Sequence, residues 1–455
     1  MNPEQKFITA SEKLAFDLKF RIQSQNYQES LQHGQKQSLL QFKDYELLKS
    51  RVTYLRKYAI RHWDELLLQF ESKFQAQGGR IIWAENAEEA QNEILKIAQE
   101  YKAKTILKDH TSLIEELSLT SFLNKHQIRS VSVNPGEWLM EVAELPTEHP
   151  LFLSLGLQKK DIQHLLNHKF NLDLAPDPQK MIDVCRRHLR KRFASVDIAI
   201  SGLEFMLADT GSLCLSDQSG QIPMISSFSR VHIVLAGIEQ ILPELRDLDL
   251  VLPLLSSLKR GKPSDSYHTI LQGPRRENEK DGPEELVVVL IDNGRSQLLL
   301  EEEKYSLLHC IHCEACLNVC PVYQTIGAQA YAPLKPGPRG GFWPPSTLLS
   351  TAISQASTLC GACTQICPVQ IDLNQAILSN RKQRIEKKQN SLKEKSGFRF
   401  WRYLMQKRSR LNTVNAQLKR YFMKQYLGSN WFKRKDLPEI PRKSFHQQWK
   451  QKLKK

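Results

Sequence analysis

Apolar and polar positions change their period three times along the chain. Residues 1 to about 75 place apolar side chains at helical spacing within a mostly polar sequence, Leu39, Leu40, Phe42, Tyr45, Leu47 and Leu48 among them. This predicts a helical segment with no chemistry in view, ended by Gly78-Gly79. From Arg80, short apolar runs alternate with amphipathic ones. RIIWA, TILK, IRSVSV, VDIAIS, GSLCLS, RVHIVLA and ELVVVLID read as strands. AEEAQNEILKIAQEY, with acids in its first turns, reads as a helix, as do SLIEELSLTSFLNKH, DPQKMIDVCRRHLRKRF and LPELRDLDLVLPLLSSL. Strands alternating with helices predict an open parallel sheet with crossover helices. After Arg295 a short helix, SQLLLEEEKYSLL, leads into a cysteine-rich segment. Its two halves are joined by YAPLKPGPRGGFWPP, which can be neither helix nor central strand. Beyond Asp372 the pattern returns to helix. The expected organisation is a helical segment (1–75), an α/β domain (76–300), a cysteine domain (301–385) and a tail (386–455).

At 455 residues the chain is long enough for two or more domains. Its 41% hydrophobic and 25% charged content is ordinary for a globular protein. No apolar run approaches the roughly 18 residues that span a bilayer; Leu248 to Leu258 is the most apolar and contains Pro253. The opening MNPEQKFITASEKLAF lacks a signal-peptide core, so a cytoplasmic protein is expected. Charge is uneven. Residues 381–455 hold 24 Lys/Arg against four acids; with a net +15 for the whole chain, residues 1–380 carry −5. The basic character belongs to the tail.

The chemistry is in the cysteines. Cys310, Cys313, Cys316 and Cys320 form C-x2-C-x2-C-x3-C-P, the run of bacterial ferredoxin-type clusters. Cys360, Cys363 and Cys367 repeat its last three positions, with Ser357 where Cys310 would stand. The two-residue spacers let three thiolates converge on one iron–sulfide cube, while the fourth cysteine is aimed at the other cluster. Crossing the fourth ligands assigns Cys310, Cys313, Cys316 and Cys367 to cluster one. Cluster two receives Cys320, Cys360 and Cys363, one thiolate short, which implies an open iron, an oxygen-ligated iron with Ser357 as a weak candidate, or a cluster lacking one iron. Two [4Fe-4S] clusters are the expectation. Structural zinc also uses C-x2-C pairs, but needs four ligands per ion and does not call for paired C-x3-C-P endings. His309 and His312 could hydrogen-bond cluster sulfur, although exposed neighbours is the favoured reading. Cys185 and Cys214 are expected to be core residues.

Three polar groups in the α/β domain follow predicted strands: Lys108-Asp109-His110, Glu204 with Asp209-Thr210-Gly211-Ser212, and Asp292-Asn293-Gly294-Arg295. Such loops hold ligands in open sheets, and Arg295 could fork onto a carboxylate. Turns, caps and surface ion pairs explain the same residues, and no catalytic residue is assigned. In the tail, Lys and Arg interleave with Phe398, Phe400, Trp401, Tyr403, Tyr421, Phe422, Trp431, Phe432 and Trp449. Docking to a partner protein or an anionic membrane at its inner face leads there, a solvated tail is second, and nucleic acid is last.

Taken in order, CxxCxxCxxxCPVY, the Pro/Gly loop, SxLCxxCxxxCPVxI and the basic tail resemble the lactate-utilisation protein B family. LADTGSLCL (207–215), DGPEELVVVLIDNGRS (281–296) and LPEIPRKSFHQQW (437–449) are similar to that family too. The resemblance implies that Ser357 is the family's own pattern. It implies an iron–sulfur subunit of bacterial oxidation of L-lactate to pyruvate, working with a cysteine-rich-domain subunit and a small α/β-domain subunit. It also implies a sheet like that of sugar-phosphate isomerases and CoA transferases, an analogy of fold that does not carry activity. The leading expectation is an electron-transfer subunit. The alternatives are an enzyme acting on a small anionic substrate in the α/β domain, and a metal-stabilised nucleic-acid-binding protein.

Overall fold

The computed structural model describes residues 3–109, 111–144, 159–194, 196–264, 266–331, 337–341, 348–387, 392–407, 409–410, 415–421, 423 and 439–453. The polar N-terminal segment forms helices α1 (Pro3–Ala15), α2 (Leu18–Leu39), α3 (Tyr45–Arg61) and α4 (Trp63–Ala76). Asp17 and Asp44 start α2 and α3 by accepting the backbone N–H of Phe20 and Leu47. The strands are β1 (Arg80–Ala84), β2 (Thr105–Lys108), β3 (Arg129–Ser132), β4 (Ile198–Gly202), β5 (Phe205–Leu207), β6 (Ser212–Asp217), β7 (Val231–Gly237), β8 (Ile241–Leu242), β9 (Tyr267–Leu271) and β10 (Glu285–Ile291).

The expected parallel sheet has the order β1-β10-β7-β4-β2-β3, parallel at every pairing. Its central strands are covered on both faces, which is why they read as unbroken apolar runs. Side chains alternate between two cores. Val287, Val289 and Ile291 meet Ile94 and Ile97 of helix α5 (Ala87–Glu100), together with Leu113, Leu119 and Leu123. Leu286, Val288 and Leu290 meet Phe70 and Phe74 of α4, and Met206, Leu213 and Ile241 of a second sheet. That second sheet, in the order β8-β5-β6-β9, is mixed. GSLCLS, one of the predicted strands, belongs to this sheet and not to the parallel one.

Other elements also divide more finely than the pattern predicts. SLIEELSLTSFLNKH is two short helices, Ser112–Glu116 and Leu119–Lys125, broken at Ser118 with φ +49°. The break lets Leu113, Ile114, Leu119 and Leu123 all reach the core. LPELRDLDLVLPLLSSL starts at the end of β8, passes through a 3-10 turn at Leu245–Asp247 and only then becomes the helix Leu248–Arg260. SQLLLEEEKYSLL is two 3-10 turns, Ser296–Leu300 and Tyr305–His309.

The chain forms two compact units, Met1–Arg381 and Lys382–Lys455. Within the first, the N-terminal helices are integral to the cysteine segment. Phe7, Leu14 and Phe20 share one core with Leu317, Tyr323, Ile326, Tyr331 and Ile353. Helix α2 crosses the helix Leu248–Arg260 where two glycines meet: a Cβ on Gly34 would lie 2.7 Å from the Gly261 carbonyl oxygen. Helix α3 contributes Val52, Leu55 and Ile60 to a core that includes β5, β8 and the cysteines Cys313, Cys363 and Cys367. In the second unit, the helix Leu392–Met405 leaves Phe398, Phe400, Trp401, Tyr403 and Met405 exposed. Phe422, Trp431 and Phe432 lie outside the described residues. Among the described residues no helix is long and apolar enough to cross a membrane.

Arg56 of α3 is completely buried. Its guanidinium donates to four backbone carbonyls: Ile241 and Glu239 at 2.6 Å, Leu308 at 3.1 Å and His309 at 3.2 Å. One side chain therefore ties the N-terminal helices to the second sheet and to the turn entering the first cysteine motif. Burial lowers its pKa to about 10, with Glu239 and Cys310 opposing the fall, so it stays charged at neutral pH. Removing it orphans four buried acceptors, each costing about 1–3 kcal/mol. The variant Arg56→Met is expected to lose about 3 kcal/mol or more of stability, read as a lower urea midpoint against wild type at matched iron content. An unchanged midpoint would remove the anchor role.

Candidate metal centre

The first cysteine motif is a chain of tight turns. His312 and Glu314, at φ +60° each, take the left-handed conformation between successive cysteines. At the second motif Leu359 (φ +55°), Gly361 (φ +86°) and Gln370 (φ +53°) take it just before, within and just after the run of cysteines. Non-glycine residues rarely adopt this region, and such strain gathers at functional sites. Here it folds the backbone back around sulfur. The N–H of His312 donates to Cys310 Sγ, and the N–H of Ile371 to Cys367 Sγ, both at 3.4 Å.

Cys310, Cys313, Cys316 and Cys367 line one cavity, together with Ile311, Val369, Ile371, Leu373 and Arg339. The fourth cysteine comes from the second motif, across the Pro/Gly loop. Beside it, Cys320, Cys360 and Cys363 are near enough to act on one another's ionisation. Cys367 and Cys363 are coupled in the same way, so the two groups adjoin. Ser357 is a turn residue: its Oγ accepts the Leu359 N–H at 3.2 Å and its carbonyl accepts from Arg381 at 2.6 Å. Among the described residues no three His, Cys, Asp or Glu side chains converge on one point as the ligands of a single metal ion would, whereas a cube takes each thiolate at a separate iron corner.

Burial raises the pKa of Cys313 and Cys316, and the neighbouring sulfurs raise both further. Cys363 and Cys367 are pushed up to about 11, again by burial first. These groups are neutral thiols until a metal displaces their protons. Cys360 is the exception. It is exposed, and its pKa is lowered by the Ala362 N–H and the Thr358 hydroxyl. Four cysteines walling one cavity, apolar apart from Arg339 and Glu314, with backbone N–H groups directed at sulfur, form a donor set that fits an iron–sulfide cube. Cys185 and Cys214 are buried core thiols, with pKa values raised by burial to about 11 and about 12.

The histidines correct the sequence reading of exposed neighbours. His309 is buried, edge-on to Tyr305 with ring centroids 5.1 Å apart, and burial lowers its pKa to about 4. His312 places Nε2 3.6 Å from a Glu239 carboxylate oxygen. Glu239, which sequence alone does not single out, is buried in the loop after β7. Its other oxygen accepts from Arg295 Nε at 2.6 Å. Arg295 is itself fully buried and forks onto Glu116 at 2.8 and 3.1 Å. Burial alone would lower its pKa, but Glu116 and Glu239 outweigh that and raise it. The carboxylate that Arg295 holds is the protein's own.

The remaining polar groups of the α/β domain also have internal partners. Lys108 lies 3.6 Å from the Glu137 carboxylate, and Asp109 accepts from Gln221 at 2.6 Å; His110 lies outside the described residues. Asp209 caps the Leu245 N–H at 3.0 Å. Gly211 (φ +63°) packs against α4, where a Cβ would come within 2.7 Å of Lys73 backbone. Glu204 is half-buried beside them.

Comparison with known proteins agrees with this architecture. Residues 67–291 match the LUD domain, and residues 306–371 match a 4Fe-4S dicluster domain. Lactate utilization protein B of Bacillus cytotoxicus is 35% identical over 338 residues, covering 73% of this chain and 71% of its own length. The protein of that name from Oceanobacillus iheyensis is 30% identical over 437 residues, covering 92% of this chain and 90% of its own. A solved DUF162 family protein from Deinococcus radiodurans, 16% identical, aligns with 50% of this chain and 98% of its own at a TM-score of 0.29. With two relatives at this identity along most of both chains, and both domain matches in the same order, the chain belongs to the lactate utilization protein B family.

Proposed function

We propose that this chain is the iron–sulfur electron-transfer subunit of a complex oxidising L-lactate to pyruvate. The observation that carries the reading is the position of Cys367 on the same cavity wall as Cys310, Cys313 and Cys316. In this reading those four hold cluster one, and Cys320, Cys360 and Cys363 hold cluster two with three thiolates. When bound, such clusters supply one-electron steps, with potentials set by burial, charge and hydrogen bonds to sulfur. In the first group Cys313 and Cys367 are buried and Cys310 and Cys316 partly so, while the exposed Cys360 leaves the second group at the surface. Oxidation of L-lactate releases two electrons and two protons. The chemistry at lactate belongs to a partner or to a site shared with one, and this chain passes electrons toward an acceptor such as a quinone. The family relationship supports partners within a lactate-utilisation system, a cysteine-rich-domain subunit and a small α/β-domain subunit. The internal pairing of Arg295 and Asp209 weighs against a substrate site built on them in the α/β domain.

The purified chain should be brown, with absorbance that bleaches on reduction. Cys367→Ala is expected to lose about half the iron and sulfide, together with the same electron paramagnetic resonance signal that Cys313→Ala loses. Cys363→Ala should remove the other signal. If Cys367→Ala instead groups with Cys363→Ala, the crossed ligand sets are wrong.

Copurified with its partners, the chain should show cluster signals that become reduced on adding L-lactate anaerobically. Full reduction by dithionite with none by lactate would leave an iron–sulfur protein of another pathway.

The tail supports docking to an anionic membrane surface, because exposed Phe398, Trp401 and Tyr403 lie among its basic residues. Vesicles containing anionic lipid should retain the chain at low salt and release it at about 1 M, where the screening length is about 3 Å. Retention insensitive to both salt and lipid charge would count against this.

A further inference from the structure

Arg339 sits in the short 3-10 turn Gly337–Gly341, inside the Pro/Gly loop between the two cysteine motifs. That turn is pinned from both sides. Gly337 has φ +70°, and a Cβ there would lie 2.4 Å from the side chain of Leu317, between Cys316 and Cys320. At the other end, the Gly341 carbonyl accepts from Ser354 Oγ at 3.1 Å and from the Asn380 side chain. The backbone carrying Arg339 is thus set against the first motif at one end and against the helices flanking the second motif at the other.

From this turn the side chain lines the cavity walled by Cys310, Cys313, Cys316 and Cys367, which Glu314 lines as well. It also lines an adjoining pocket with Cys310, His312 and Glu239. Among the described residues no hydrogen bond or salt bridge holds the guanidinium, unlike Arg56 and Arg295, whose donors are committed. Burial would lower its pKa, yet the sulfurs of Cys310 and Cys316 when ionised, then Glu314 and Glu239, raise it above its ordinary value. An always-charged group next to sulfurs that become anionic on binding iron has a defined consequence. A cube held by four thiolates is anionic and gains a further negative charge on reduction, so a fixed cation beside it favours the reduced form.

We propose that Arg339 is a positioning residue for cluster one, a fixed cation that raises its reduction potential and leaves that of cluster two nearly unchanged. This rests on the cluster assignment above. The asymmetry comes from placement: Arg339 lines the Cys310–Cys313–Cys316–Cys367 cavity. Cys320, Cys360 and Cys363 do not line that cavity.

The test is a redox titration of the full-length, cluster-loaded chain, followed by electron paramagnetic resonance, for wild type, Arg339→Gln and Arg339→Lys. The cluster-two signal is identified beforehand as the one lost in Cys363→Ala. Arg339→Gln should retain wild-type iron and sulfide. At the wild-type midpoint of cluster one, its reduced-to-oxidised ratio should fall about tenfold, which is 59 mV for a one-electron couple. Arg339→Lys should recover at least half of that shift, and the cluster-two midpoint should stay in place. If Arg339→Gln binds less iron, Arg339→Met, which keeps an apolar stem without the charge, is titrated on its loaded fraction. The proposal is overturned if the neutral variants leave the cluster-one midpoint unmoved, or if both midpoints move together. A wild-type chain that takes up no iron and sulfide would instead overturn the cluster assignment on which it rests.

Discussion

Arg56, Glu239, Arg295 and Glu116 form a buried set of two cations and two carboxylates on which the placement of the cysteines depends. The set is neutral overall, and none of the four side chains reaches solvent appreciably. Taking four charges out of water is costly, and the mutual attraction does little more than offset that cost. What the set contributes is position. Arg295 joins the chain after β10 to the helix after β2 and to the loop after β7. Arg56 joins that same loop to helix α3 and to the Leu308–His309 turn. From Glu239 the link continues to His312, inside the first cysteine motif. An arrangement with one of these elements displaced would leave a charge buried without its partner, so the cysteines inherit the rigidity of the parallel sheet.

The N-terminal helices complete this arrangement from the opposite side. A cysteine segment of short turns and one-turn helices buries little apolar surface of its own. Phe7, Leu14 and Phe20 supply the surface against which Leu317, Tyr323 and Ile326 pack, with Cys320 at the margin of that core. Helix α3 does the same for Cys313, Cys363 and Cys367. Residues far from any ligand in sequence thus form the apolar walls that lower the local dielectric around sulfur, and burial is one of the main determinants of a cluster's potential.

The strands of the parallel sheet were legible because short β-branched apolar runs such as ELVVVLID, alternating with amphipathic segments, suit strands buried on both faces. The expectation that Cys367 joins the first motif rests on the C-x3-C-P endings alone, and what the structure adds is that all four cysteines line one cavity. The second sheet was not legible, because β5 and β8 are too short to carry a period of two, and β9 is mostly exposed with no clear apolar face. The internal ion pairs were missed for a different reason. Pairing of Arg295 with Glu116 and Glu239 spans 179 and 56 positions of sequence, and no local pattern records it. Arg56 did leave a trace: it lies one helical turn from both Val52 and Ile60, on a face otherwise apolar. A cation at the centre of such a stripe marks a buried donor with acceptors brought from elsewhere. Arg339 left none, since a Pro/Gly loop carries no periodicity from which its direction could be read.

Open α/β sheets bind ligands at the carboxyl ends of their strands, and here that end is closed from within. Beyond β7, a Cβ at Gly237 would lie 2.2 Å from the Glu239 carboxylate. Beyond β4, one at Gly202 would lie 2.4 Å from Thr111 Oγ1. Beyond β10, Arg295 fills the remaining space with a guanidinium whose donors are already taken. The loop that seals β7 is the one that receives Arg56 and touches His312. The side chains that occupy the customary ligand crevice therefore also fasten the cysteine motif beside it. In this chain the carboxyl end of the sheet is joined to the first cysteine motif through the loop after β7. Polar residues after the sheet's strands, which resemble a substrate pocket when taken one loop at a time, are better understood as the fixings of that joint.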